Sequence, residues 1–166
     1  MTIITEHQTA LDLATEAAAR HNRELRCITI RLPWAAAIAD GAKTIENRTR
    51  YTKYRGTVGI HASKTRATVT GHPALVDWLT SRTGSHPERQ ATPGAILAVA
   101  DLVDCHPAHP WICCGPWSDP GGYHIMFDNI RALPAPVPAR GSLVLPWTAS
   151  DDVAAAVWAQ LDGGPR

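Results

Sequence analysis

The stretch Gly94–Cys105, GAILAVADLVDC, is the part of this chain that most constrains its fold. A strand with one face in water carries a polar residue at every second position. This one is apolar at both parities until Asp101, so as a strand it must be covered on both faces. It belongs in the middle of a sheet. RCITIRL (Arg26–Leu32) alternates and is rich in β-branched residues, which predicts a second strand. In GTVGIHAS, Val58, Ile60 and Ala62 alternate with Thr57, Gly59, His61 and Ser63, a half-buried pattern. YHIMFDNI (123–130) and SLVLPW (142–147) read as two more strands, separated by a Pro-rich turn, LPAPVPARG.

Helices are few and short. Pro33 opens PWAAAIAD, and Gly41 ends it just past its C-cap. Pro73–Ser81 is a second Pro-started helix, and Asp151–Leu161 is a third. Thr9–Arg20 is Ala-rich with Thr9 as N-cap, a helix outside the core. With 13 Pro and 12 Gly in 166 residues, turns interrupt the chain too often for a helical bundle. Strands outnumber helices and do not alternate with them regularly. The expected fold is therefore α+β, a small mixed β-barrel flanked by short helices, and not a doubly wound sheet. The length fits one compact domain. Residues 1–25 form a helical extension, 26–148 the domain, and 149–166 a C-terminal helix and tail.

Several classes lose their support. No run of 18 apolar residues is present, so no membrane span is expected. Glu6, His7 and Asp12 occupy the place of a secretory apolar region. Four Cys without a regular framework suit reduced thiols and a cytoplasmic setting. Neither a Gly-rich phosphate loop nor a nucleophile elbow occurs, and no cofactor is implied. Nothing in the sequence signals an oligomeric state.

The net charge of +1 argues against a strongly basic nucleic-acid binder, but it hides an asymmetry. Lys43–Arg66 carries seven basic residues and one acid, a charge of +6, and the remainder carries −5. At its centre stands GAKTIENR, Gly41–Arg48. Lys43 follows a helix-stopping Gly and would project from a loop at the rim of the sheet. If a strand begins near Thr44, Glu46 and Arg48 share one face, with Arg50 next in line. Asn47 and Thr49 then face the other way. A lysine that is buried and crowded by cations becomes able to take a proton near neutral pH. The alternative is a Glu46–Arg48 surface pair with Lys43 in solvent.

The pattern GxKxxExR over Gly41–Arg48 follows a Pro-Trp-started helix and precedes a YRG turn and an IHASK strand. It resembles an ASCH domain of the PUA-like superfamily. The likeness continues through GAILAVADLVDC, FDNI and VPARGSLVLP, spanning about Arg26 to Trp147. It implies a PUA-like barrel with a cleft for RNA or a modified nucleoside beside GxKxxExR. Some members are amidohydrolases that deacetylate N4-acetylcytidine with Lys, Thr and Glu, and others are reported as ribonucleases. Lys43 matches the amidohydrolase lysine and Arg48 the arginine after it. Glu46 stands where that enzyme type has its Thr, and Thr44 has the wrong parity to replace it. No counterpart of the downstream Glu is found, and Asp101 and Asp104 are its nearest candidates.

Three outcomes stay open: amide hydrolysis, cleavage of single-stranded RNA, and RNA binding without catalysis. The residues assigned to catalysis are Lys43 and Glu46. Those assigned to substrate binding are Arg48, Arg50, Trp34, Tyr54, His61, Ser63 and Lys64. Trp34 is read first as core packing and second as a base platform. His61 is read first as a hydrogen-bonded structural residue and second as a cleft lining. Arg55 and Tyr51 could also touch phosphate or base.

A second cluster follows in Asp104–Cys114, DCHPAHPWICC, with His124 further on. Cys105 and His109, then Cys113 or Cys114, could supply three or four zinc ligands. The CxxC spacing is absent, so the default is a reduced loop whose Cys pack as small hydrophobes, and no metal is assigned.

Overall fold

The computed structural model describes residues 24–68, 72–81, 92–109 and 113–162. The expected helix at Thr9–Arg20 lies outside them. The elements are β1 (Arg26–Leu32), α1 (Trp34–Ala39), β2 (Ile45–Arg48), β3 (Gly56–Arg66), α2 (Pro73–Ser81), β4 (Ala95–Pro107), β5 (Tyr123–Pro138), β6 (Trp147–Thr148) and α3 (Asp151–Asp162). The fold is a mixed α+β arrangement of one six-stranded sheet in the order β2-β5-β4-β3-β1-β6. All pairs are antiparallel except β1 with β3.

β4 sits inside the sheet, as its composition requires. Leu97, Ala98, Ala100 and Leu102 enter one apolar cluster with Ile28, Ile30, Ile60, Leu75 and the buried face of α1. Ile96 and Val99 enter a second with Leu25, Cys27, Val137, Trp147, Val157 and Trp158 of α3. At about 25 cal/mol per Å² of apolar surface, two covered faces make this strand the main anchor of the sheet.

The sheet is not closed into the expected barrel. No ladder joins β2 to β6 among the described residues. Instead the Arg48 guanidinium of edge strand β2 donates from Nη2 to the carbonyl oxygen of Thr29 on β1. The sheet therefore curls until its two ends approach, and a side chain spans what remains open.

Two further readings are corrected. The Pro-rich segment LPAPVPARG is not a turn, because β5 continues through it to Pro138. Its prolines fit because Val137 and Ala139 share the parity facing β4, where the Ala139 N–H donates to Gly94 O at 3.0 Å. Pro136 and Pro138 have the other parity, where no ladder donor is needed, and Pro134 lies in the irregular stretch between Ala132 and Val137. SLVLPW is largely not a strand: only Trp147 and Thr148 pair, opposite Cys27 and Arg26. Leu143 and Val144 are exposed, at 93% and 66%, so their apolar character does not mark burial.

Candidate functional site

The turn after α1 places Lys43. Gly41 takes the left-handed conformation, φ +75°, which an L side chain resists. The N–H groups of Ala42 and Lys43 then both donate to Ala37 O, at 3.0 and 3.1 Å. This wrap turns Lys43 inward, away from the exposed rim expected of it. It is 1% exposed and is the largest fully buried side chain among the described residues. Its Nζ donates to Ile45 O and, at 3.1 Å, to Glu46 Oε2. It also lies 5.9 Å from the centroid of the Trp34 ring.

Strand β2 pairs with β5 so that Glu46 opposes Ile125 and Arg48 opposes Tyr123. Glu46 and Arg48 share a face, as their parity requires. Arg48 Nε lies 3.3 Å from Glu46 Oε1, an ionic contact without the alignment of a hydrogen bond. One carboxylate thus bridges an ammonium and a guanidinium. These three residues line an open cavity of about 600 Å³. Trp34 forms part of its wall, standing edge-on to His72 at 4.9 Å and to Trp117 at 6.2 Å.

The cavity also draws on residues that sequence reasoning missed. Thr29 and Arg31 come from β1, Thr65 from β3, and Asp119 and Leu143 from loops. The signal for the first two was present: in RCITIRL they occupy the polar parity that alternates with Ile28, Ile30 and Leu32. Asp119 had no local signal, because its position follows from a contact across the sequence. Asn47 Nδ2 donates to Trp117 O at 2.9 Å and to Asp119 Oδ2 at 3.1 Å, while Asp119 N–H donates to Asn47 Oδ1. With Arg31, Lys43 and Arg48 against Glu46 and Asp119, the lining carries one net positive charge.

Ser63 lines this cavity and an adjoining one of about 350 Å³, where His61 and Lys64 are found. His61 is buried, and its Nε2–H donates to Ala139 O at 3.1 Å. Burial pulls its pKa down, and the Ala139 bond partly offsets this. Arg50 and Tyr54 are not brought to the cavity. The Tyr54 hydroxyl donates to Thr57 O at 3.0 Å, and Arg50 is exposed. Tyr51 packs beside Tyr123, 5.6 Å between centroids, and Arg55 pairs with Asp104 at 3.2 Å.

Neither acidic candidate on β4 reaches the cavity lining. Asp101 accepts from Thr57 Oγ1 at 2.7 Å and Asn129 Nδ2 at 3.0 Å, and Asp104 faces Arg55 and His106. The Cys105–His109–Cys113 ligand set is likewise not assembled. Cys105 is buried in the apolar core. The residues that do converge are His106, Cys113, Cys114 and His124.

An α+β domain with a curled, unclosed sheet and a mixed-charge cavity at its opening is the class these observations define. The family model described as "ASCH domain" matches residues 28–115, which include Lys43, Glu46 and Arg48. The chain belongs to the ASCH domain family, within the PUA-like superfamily. Membership points in general terms to RNA. No curated protein matches the chain.

Proposed function

We propose that the cavity between β1, β2 and α1 binds one nucleotide unit of RNA or a modified nucleoside, with Lys43 and Glu46 as its reactive pair. The observation that carries this reading is the pair of a buried Lys43 and a partly buried Glu46 facing an open cavity. A buried ion pair is poor value as a stabiliser, since apolar residues of similar volume usually serve as well or better. Its retention where a void meets solvent supports a role toward a ligand. Arg31 and Arg48 suit a phosphate or a polarised carbonyl, and Trp34 suits a base, where stacking contributes ~1–3 kcal/mol.

Hydrolysis is the finer reading, and the hydroxyls around the pair favour it. Thr29, Ser63 and Thr65 line the same cavity, so hydroxyl groups are at hand although Glu46 replaces the family's threonine. In amide hydrolysis Glu46 or Lys43 activates water and Arg48 stabilises the oxyanion. In RNA cleavage the same groups take the ribose 2′-OH proton and hold the phosphate.

The test combines binding and turnover of N4-acetylcytidine and of short single-stranded RNA by wild type, Arg48→Ala and Lys43→Ala. Loss of a charge-assisted contact worth ~1.5–3 kcal/mol weakens binding by roughly 10- to 100-fold in Arg48→Ala. Turnover disappears in Lys43→Ala. RNA binding without turnover of either substrate removes the hydrolytic reading and leaves a binding module. Equal affinity in wild type and both folded variants removes the site.

A further inference from the structure

We propose that His106, Cys113, Cys114 and His124 form a tetrahedral zinc site that fastens the loop after β4 to strand β5. Their four ligand atoms all lie within 4.8 Å of one another. His106 Nε2 is 3.2 Å from Cys114 Sγ and 3.8 Å from Cys113 Sγ. Cys113 Sγ is 3.2 Å from His124 Nδ1 and 3.0 Å from Cys114 Sγ. With Zn–S near 2.3 Å and Zn–N near 2.0–2.1 Å, the edges of a tetrahedron are roughly 3.3–3.8 Å long. The four contacts just given lie within about 0.8 Å of those edges, and the widest pair, up to 4.8 Å apart, draws in by about 1 Å to accept the ion. The two sulfurs are too far apart for a disulfide, whose S–S bond is about 2.05 Å.

The rings are already set for ligation. His106 Nδ1–H donates to Asp104 Oδ2 at 2.7 Å, which leaves the Nε2 lone pair facing the sulfurs. His124 Nε2–H donates to Asp119 O at 2.9 Å, which leaves Nδ1 facing Cys113. A carboxylate or carbonyl behind each imidazole is the usual support of a metal-bound histidine, fixing tautomer and orientation. Two thiolates with two imidazoles are a donor set suited to zinc, and four protein ligands make a closed, structural site.

The topology explains why these residues meet. Residues His106 and His124 oppose each other in the β4–β5 ladder, and their rings stand edge to face at 5.6 Å. Cys113 and Cys114 return from the intervening loop to cover them. The same loop continues to Trp117 and Asp119, which hold Asn47 beside the cavity. Zinc would therefore brace one wall of the cavity while standing apart from its reactive pair.

Metal analysis of the full-length wild-type protein, purified without chelator, tests this directly. The expected result is one zinc per chain, released to a chromogenic chelator with a fall in Tm. Cobalt added to the stripped protein gives the intense visible bands of a tetrahedral thiolate site. Asp104→Ala keeps all four ligands and lowers zinc affinity by roughly 10- to 100-fold. Cys105→Ala, in the core and outside the ligand set, retains full zinc content. If Cys113→Ser fails to fold, the wild-type metal content and cobalt spectrum decide. Wild type that holds no stoichiometric zinc and gives no tetrahedral cobalt bands overturns the proposal, as does a Cys113–Cys114 disulfide in freshly purified protein. None of these readouts depends on RNA.

Discussion

Lys43 is held by a backbone carbonyl, a carboxylate and the neighbourhood of an indole ring at once. Breaking a buried pair leaves the partner charge behind and costs about 3–5 kcal/mol, with Glu46's partial exposure moving this toward the lower end. Lys43→Met should therefore lower stability by about 3 kcal/mol in urea denaturation. Lys43→Met with Glu46→Gln should recover part of that loss, because no unpaired carboxylate remains. His61 gives a pH prediction. Its folded pKa lies below its ordinary value, so on acidification the unfolded chain takes up the proton first. Stability from neutral His61 is complete above about pH 6.5 and falls as pH drops toward the folded value. Lys64 and Arg140 line the same cavity as His61. Urea midpoints measured from neutral to mildly acidic pH should decline in wild type and lose that component in His61→Gln. A pH dependence identical in the two proteins would show that His61 titrates no differently when folded. The Lys43, Glu46 and Arg48 grouping was legible in the sequence because parity and one Gly placed it. The burial of Lys43 was not, since it depends on how the helix-ending turn wraps.

At the scale of elements, glycines set two close approaches. Gly122, φ +73°, precedes β5, and a Cβ there would collide with the Arg48 carbonyl oxygen of β2. Gly122→Ala should destabilise the protein by about 1–3 kcal/mol and shift the amide resonances of Glu46–Arg48. Gly141 lies against His61, where an added Cβ would meet the ring Cε1 and, at 2.7 Å, Nδ1. Gly141→Ala should lower Tm while leaving the Lys43 pair intact, a difference readable by NMR. The strands with strong alternation or two apolar faces, β1, β3 and β4, were legible, as were all three described helices. The sequence shows β5 only as far as its first prolines, because proline ordinarily stops a strand. Only the ladder parity, set by a distant partner strand, shows that Pro136 and Pro138 forfeit nothing.

For the whole molecule, carboxylates neutralise part of the +6 segment Lys43–Arg66 among the described residues. Of the seven cations in Lys43–Arg66, Lys43 and Arg48 meet Glu46 and Arg55 meets Asp104, while Lys64 packs over Gly94. The cavity itself offers Arg31 and Arg48 to phosphate, so binding there should depend only weakly on salt. With one or two phosphate contacts, the slope of log K against log salt for single-stranded RNA is about −0.7 to −1.4. A slope several times steeper would indicate an extended electrostatic track instead of a pocket. The open edge of the curled sheet is where that pocket forms, and the family resemblance had suggested the cleft but not the missing ladder. The most direct measurement is an amide chemical-shift map of the protein titrated with a short single-stranded RNA. Shifts concentrated on Thr29, Arg31, Lys43–Arg48 and Thr65 are predicted. Shifts confined to the α3 face, with these residues unmoved at saturation, would contradict the account.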